Sequence, residues 1–205
     1  MKHLAVIMDG NKRWSLKNNK TSKEGYIEGL NNLIKITNIC IKKKIPYISA
    51  YAMSPENFLR PSINFIYEII LEKHNNFINK LNKNKQIKIN FIGELDQLPK
   101  NIKLILKQVT HFTRNNKGIT LNIVLNYGSE LELLNLINKI LKTKKNDKLV
   151  TLKDLKDNLY LGDIPEPDVL IRTGGYKRLS NFLLIYLKYT ELYFTKTLWP
   201  DLNNK

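Results

Sequence analysis

The chain has 205 residues, 42% of them apolar, which is enough for one domain with a sizeable core and too few for two comfortable ones. Its single cysteine, Cys40, excludes a disulfide framework or a cysteine-based metal site within one chain. The formal charge of +16 comes from scattered lysines among abundant Asn and Ile rather than from a concentrated stripe, so no nucleic-acid partner is expected.

In chain order, strands are predicted at Leu4 to Met8, Tyr47 to Ala52, Ile87 to Ile92, Thr120 to Leu125 and Val169 to Ile171, with a sixth near Leu192 to Phe194. Helices are predicted at Glu24 to Lys43, Ile63 to Leu81, Lys100 to Asn115, Glu130 to Lys142 and Leu152 to Leu159. This alternation argues for a single α/β domain over residues 1–205, a mostly parallel central sheet of about six strands flanked by helices. Lys142 to Lys148 is the best candidate for a flexible surface loop, and no internal repeat or linker is evident. No signal peptide is expected, since His3 leads directly into the first strand, and no apolar run reaches the roughly 18 residues of a membrane span. A soluble, cytoplasmic protein is therefore expected, with a positive surface suited to diphosphates or to peripheral contact with anionic lipid at the inner membrane face.

Three loops carry chemistry. The apolar run Leu4-Ala5-Val6-Ile7-Met8 stops at Asp9-Gly10-Asn11-Lys12-Arg13-Trp14. Glycine there lets backbone N–H groups approach an anion, and cations follow. A carboxylate amid phosphate-binding groups makes sense chiefly as a ligand for a hard cation such as Mg2+, which bridges phosphate oxygens. On this segment alone, an ordinary strand followed by an Asp-Gly turn stays open. Val169-Leu170-Ile171 likewise runs into Arg172-Thr173-Gly174-Gly175 and Lys177-Arg178-Leu179-Ser180-Asn181-Phe182, which implies a second anion site. After Tyr47 to Ala52 come Met53, Ser54, Pro55, Glu56, Asn57, Phe58, Leu59, Arg60 and Pro61, supplying hydroxyl, carboxylate, amide and guanidinium. Ligands of open α/β sheets collect outside the carboxyl ends of the strands, so the three loops are expected to share one mouth.

These segments, together with LNIVLNYGS from Leu121, TELYF and LWPD, resemble the cis-prenyltransferases, the family of the undecaprenyl diphosphate synthases, in the family's order and over almost the whole chain. The resemblance implies condensation of isopentenyl diphosphate onto an allylic diphosphate, farnesyl diphosphate being the expected primer, to give a long-chain polyprenyl diphosphate such as undecaprenyl diphosphate, a lipid carrier precursor for cell-wall synthesis. It places Gly10, Asn11, Lys12 and Arg13, with Trp14, Ser22 and Tyr26, on the allylic side. Arg172, Arg178 and Ser180, with Leu179, are placed on isopentenyl diphosphate. It makes Asp9 a Mg2+ ligand and Glu191 a second one. It assigns the departing proton to Asn57, whose amide is not basic near neutral pH and is better read as an orienting partner. Ser54, Pro55, Glu56, Phe58 and Arg60 would line the same site. The stripe Ile63, Ile66, Ile70, Phe77 and Leu81 falls at helical spacing. It reads as core and, by resemblance, also as one wall of an apolar tunnel for the polyprenyl tail.

Some positions depart from the family pattern. Tyr26 replaces a histidine, Ser22 an arginine, Lys12 a glycine, Phe58 a tryptophan, and Pro55 a serine or threonine. After Leu198-Trp199-Pro200-Asp201 the family's terminal helix and Arg-rich, Gly-containing tail do not follow. A homodimer is the implied assembly, with a subunit of a heteromeric enzyme as the alternative. His3, His74 and His111 show no paired metal-ligand spacing and read as ordinary surface or packing residues.

Overall fold

The computed structural model describes residues 1–56, 62–81, 86–143 and 149–203. Six strands, β1 (His3–Ile7), β2 (Tyr47–Met53), β3 (Ile87–Ile92), β4 (Ile119–Leu125), β5 (Val169–Arg172) and β6 (Glu191–Phe194), form one sheet in the order β3-β4-β2-β1-β5-β6. Every pairing is parallel, so all six carboxyl ends lie on one edge. The crossovers are α1 (Asn11–Lys17), α2 (Ser22–Lys42), α3 (Ser62–Leu81), α4 (Lys100–Thr113), α5 (Ser129–Thr143) and α6 (Leu152–Asn158). β1 lies in the middle and is buried throughout, as a continuous apolar run in a parallel sheet must be.

Strand alternation divides the core. Leu4, Val6, Ile48, Ala50, Leu121 and Ile123 face α2 and α4, meeting Leu33, Ile36, Leu106 and Val109. Ala5, Ile7, Val124 and Leu170 face the other way, onto Tyr127, Leu161, Phe182, Leu183 and Tyr186. His3 packs as expected but more deeply than its polarity suggests. It is wholly buried, with Nδ1 on the Pro165 carbonyl at 2.6 Å and Nε2 on Ser49 Oγ at 2.8 Å, and burial holds its pKa below the ordinary value.

All the predicted strands are present, and β5 extends one residue further, so that Arg172 is the last residue of a strand rather than the first of a loop. α2 begins at Ser22 instead of Glu24 because Thr21 and Glu24 form a reciprocal capping box, which satisfies two N-terminal donors. Helix α4 ends at Thr113, two residues short of the prediction, and α6 ends at Asn158. α1 was expected as a phosphate loop, not a helix; seven residues give too little periodicity to read. Lys142 belongs to α5, and most of the expected surface loop, 144–148, lies outside the described residues.

Candidate functional site

Two of the expected loops leave adjacent strands at the same level. Ile7 of β1 is in register with Arg172 of β5 and with Tyr51 of β2, which brings Asp9, Ser54 and the Arg172 guanidinium to one edge of the sheet. Gly10 caps α1 with φ +117°, a conformation reserved for glycine, and a Cβ there would sit 2.9 Å from Leu198 Cδ2. The Asp9 carbonyl accepts from Trp199 N–H at 3.0 Å and Thr173 Oγ1 at 2.7 Å, so the turn is tied to two other segments.

The Asp9 carboxylate is shared by two guanidiniums. Arg13 Nη2 donates to Oδ1 at 3.1 Å and Arg172 Nη2 to Oδ2 at 3.0 Å. Arg172 is nearly buried, with its side chain 4% exposed. Its Nη1 donates to Ser180 Oγ at 2.7 Å and to the Arg178 carbonyl, while its buried Nε has no partner. A buried guanidinium with one orphaned donor is primed for a further acceptor, and a phosphate oxygen is the chemistry that suits it. Ser180 holds its place with φ +50°, followed by Asn181 at +59° and Leu183 at +52°. This strained run is pinned by Ser129, whose N–H and Oγ both donate to the Asn181 carbonyl and whose Oγ accepts from Leu184 N–H.

The aromatic floor beneath this run is rigid. Tyr51 stacks on Phe182, with centroids 4.5 Å apart and planes 11° from parallel, and donates its hydroxyl to the Tyr127 carbonyl at 2.7 Å. Burial pushes the Tyr51 phenol well above its ordinary value, Glu56 adds to the shift, and Ser54 and Arg172 oppose it. Tyr127 and Tyr186 both donate to buried Glu132, whose negative charge reinforces burial in keeping each phenol protonated. These tyrosines are structural donors throughout the physiological range.

Behind the loops lies an apolar cavity of about 150 Å³ between the sheet and α2, α3 and α4. Leu30 and Leu33 of α2, Ile66 and Ile70 of α3, and Ile105 and Val109 of α4 form its helical walls, with Ala52, Phe91 and Ile123 from the strands. Asn11 and Tyr26 join Met8 in the lining, which links the cavity to the first phosphate loop, and Asn11 Oδ1 is buried without a hydrogen-bond partner. Of the predicted stripe on α3, Ile66 and Ile70 line the cavity and Ile63 packs on the core beside it. The side chains of Phe77 and Leu81 lie outside the described residues.

The other expected site residues divide. Lys12 and Arg178 are exposed, Ser22 opens α2, and Pro55 lies near Gly128. Asn57, Phe58 and Arg60 fall outside the described residues. Trp14 donates its indole N–H to Asp201 Oδ1 at 2.6 Å and ties α1 to the last described segment. Leu179 is partly buried and packs against the aromatic core. Glu191 is not brought to Asp9 within this chain. It opens β6 opposite Val169, at the amino end of the strand pair, three residues before the level of Arg172, and it is exposed. Tyr176 was missed. Its ring lies 4.4 Å from the Arg178 guanidinium, 5.1 Å from that of Arg13 and 5.9 Å from that of Arg172. The only sequence signal for it was an aromatic residue standing between two glycines and a Lys-Arg pair.

Comparison with known proteins identifies the family. The prenyltransferase family model for undecaprenyl diphosphate synthase matches residues 7–205. The chain is 36% identical over 210 residues to an isoprenyl transferase of Heliobacterium mobile, covering all of this chain and 80% of that protein. It is 37% identical over 208 residues to a farnesyl-diphosphate-specific ditrans,polycis-undecaprenyl-diphosphate synthase of Legionella pneumophila, covering 98% and 87%. Among solved structures, lavandulyl diphosphate synthase of Lavandula x intermedia with dimethylallyl diphosphate superposes with a TM-score of 0.91 at 27% identity, over 99% of this chain and 90% of that one. A probable undecaprenyl diphosphate synthase of Campylobacter jejuni gives 0.79 at 30%, over 99% and 89%. Fold and site together thus define a prenyl transferase. The chain belongs to the undecaprenyl diphosphate synthase family of cis-prenyltransferases, as its motifs indicated, on the single α/β fold that they implied.

Proposed function

We propose that this chain condenses isopentenyl diphosphate onto an allylic diphosphate, farnesyl diphosphate by preference, and repeats the step to build undecaprenyl diphosphate or a polyprenyl diphosphate of similar length. The observation that carries this reading is the convergence of Asp9 and Arg13 after β1 with Arg172 at the end of β5 and Arg178 and Ser180 beyond it, beside an apolar cavity walled by α2, α3 and α4. Two cationic groups are needed for two diphosphates, and an apolar cavity for the growing tail. The first phosphate loop, Asp9 to Arg13, is complete, which favours a catalytic chain over an accessory subunit.

The residues fit Mg2+ in one manner. No group of three or more His, Cys, Asp or Glu among the described residues could cage a metal, but Mg2+ is commonly held by one carboxylate with substrate phosphates completing its shell, and Asp9 is that carboxylate. When bound, the ion supplies Lewis-acid stabilisation of the leaving diphosphate. Arg13 and the N–H groups opening α1 hold the allylic diphosphate and disperse the charge that builds on its leaving oxygen. Arg172, Arg178 and Ser180 fix the diphosphate of isopentenyl diphosphate so that its double bond faces the allylic C1. Asn57 orients the atoms around the proton that departs as the cis double bond forms, with a phosphate or water as its acceptor.

Association into a homodimer is supported by surfaces that water covers poorly. β6 is an edge strand with Leu192 and Tyr193 exposed, and α5 exposes Leu134, Ile137 and Leu141. No helix among the described residues is long and apolar enough to cross a membrane. A charge of +16 suits peripheral contact with anionic lipid when the product leaves. The test of function is incorporation of radiolabelled isopentenyl diphosphate with farnesyl diphosphate and Mg2+, the extracted product being sized by chromatography. Labelled long-chain lipid is the expected result; no incorporation at saturating substrates would refute the reading.

A further inference from the structure

Three guanidiniums with one carboxylate between them should splay apart. Arg13 and Arg172 each take one oxygen of Asp9, which leaves Arg178 without a carboxylate in ion-pair reach among the described residues. The net charge of the four side chains is therefore +2, gathered at one edge of the sheet. What faces all three cations is the ring of Tyr176, at 4.4 Å from Arg178, 5.1 Å from Arg13 and 5.9 Å from Arg172. Each distance is within the range in which a ring quadrupole attracts a cation.

The ring's position is fixed by backbone rather than by core packing. Gly174 and Gly175 have φ of +84° and +86°, and their N–H groups donate to the carbonyls of Thr197 and Thr195, each at 2.8 Å. A Cβ on Gly174 would come within 2.4 Å of Arg13 Nη2 and 3.1 Å of the Asp9 carbonyl, so this loop lies directly against the first phosphate loop. Tyr176 itself is 47% exposed, and no hydrogen bond is recorded for its hydroxyl among the described residues. A half-exposed tyrosine outside the core, with three cations around its ring, is not explained by folding.

We infer that Tyr176 is a positioning residue whose ring holds the guanidiniums of both diphosphate sites, Arg13 on the allylic side and Arg172 and Arg178 on the isopentenyl side, in one preorganised array. The inference rests on the proposed condensation and extends it, since Asp9 ties Arg13 to Arg172 but makes no ion pair with Arg178 among the described residues. Arg178 depends on the ring most, being closest to it and lacking a carboxylate. Without the ring, its long side chain would have to be ordered anew each time a diphosphate binds.

The test replaces Tyr176 by Leu, Phe and Trp, and by phenylalanine carrying successive ring fluorines, which weakens the face of the ring at nearly constant shape. Tyr176→Leu is expected to raise KM for isopentenyl diphosphate roughly 3- to 10-fold, with a smaller rise for the allylic substrate and kcat changed less than about 2-fold. Phe and Trp should stay within about 2-fold of wild type, and fluorination should raise KM in steps. A Leu variant equal to wild type, a Phe variant as impaired as Leu, or no trend with fluorination would each overturn the inference. Calorimetric titration with inorganic pyrophosphate, which needs no turnover, separates the two claims. A wild type that binds pyrophosphate without condensing substrates refutes the proposed reaction, while the same order of variants in the titration still supports the role of the ring.

Discussion

Replacing Asp9 by asparagine isolates the role of one charge. Each carboxylate oxygen of Asp9 accepts from a different guanidinium, at 3.1 Å and 3.0 Å. Asparagine retains the shape and one acceptor, but turns the other into a donor facing an arginine, and it removes the negative charge that Arg13 and Arg172 share. Diphosphates would still be drawn to the unneutralised arginines, so binding should suffer little. The group that would hold Mg2+ against the leaving diphosphate is lost, and turnover should fall roughly 10³-fold, about 4 kcal/mol of transition-state stabilisation. The cost to stability is smaller. Arg172 keeps its bonds to Ser180 and the Arg178 carbonyl, and Asp9 is 28% exposed. The loss should therefore be about 1–2 kcal/mol, below the 3–5 of a fully buried pair, or roughly 2–8 °C in Tm. Steady-state incorporation at saturating substrates and Mg2+, with a thermal melt of the same preparation, measures both. An Asp9→Asn variant that stays folded and within tenfold of wild-type turnover would refute the metal-holding role, and a Tm drop well beyond about 8 °C would refute the small stability cost.

Arg178→Ala should raise KM for isopentenyl diphosphate about tenfold or more, whereas Arg13→Ala should act mainly on the allylic substrate; equal effects on both substrates from each variant would contradict the division of the sites. Ile70→Trp fills the wall of the apolar cavity and should shorten the product measured by chromatography while leaving the first condensation largely intact; unchanged chain length would show that the tail lies elsewhere. Because burial holds the pKa of His3 below its ordinary 6.5, the unfolded chain binds a proton that the folded chain excludes as pH falls below about 6.5. The stability contributed by neutral His3 is therefore present above that pH and lost on acidification toward the lower folded value. His3→Asn should lower Tm at pH 7.5 and flatten its dependence between pH 7 and 5; an unchanged slope would refute the assignment.

The fold was legible because parallel strands buried on both faces are largely apolar, as Leu4 to Ile7 and Ile123 to Leu125 are. α1 was not legible: its seven residues carry a phosphate loop's composition, and the helix follows from the glycine cap and from the tie between Trp14 and Asp201. Asp9, Arg172 and Ser180 were legible as a chemical set, since strand ends collect ligands. Their mutual bonds were not, because Arg172 and Asp9 are 163 residues apart and meet only through the β1–β5 register. The left-handed backbone at Ser180 and Asn181 was not legible either, since neither residue type is diagnostic of it. Tyr176 escaped notice because cation–π contacts leave no spacing rule in a loop.

Condensation is distinguished from hydrolysis by the balance between bond making and bond breaking. If Arg13 and Asp9 serve a leaving diphosphate while Arg172 and Arg178 hold the attacking substrate, each isopentenyl unit joined to the lipid must release one inorganic diphosphate. Released diphosphate and radiolabel in extracted lipid, measured in the same reaction, should therefore rise together in a one-to-one ratio. Diphosphate released without label entering the lipid would identify hydrolysis instead of condensation, and would contradict the account at its centre.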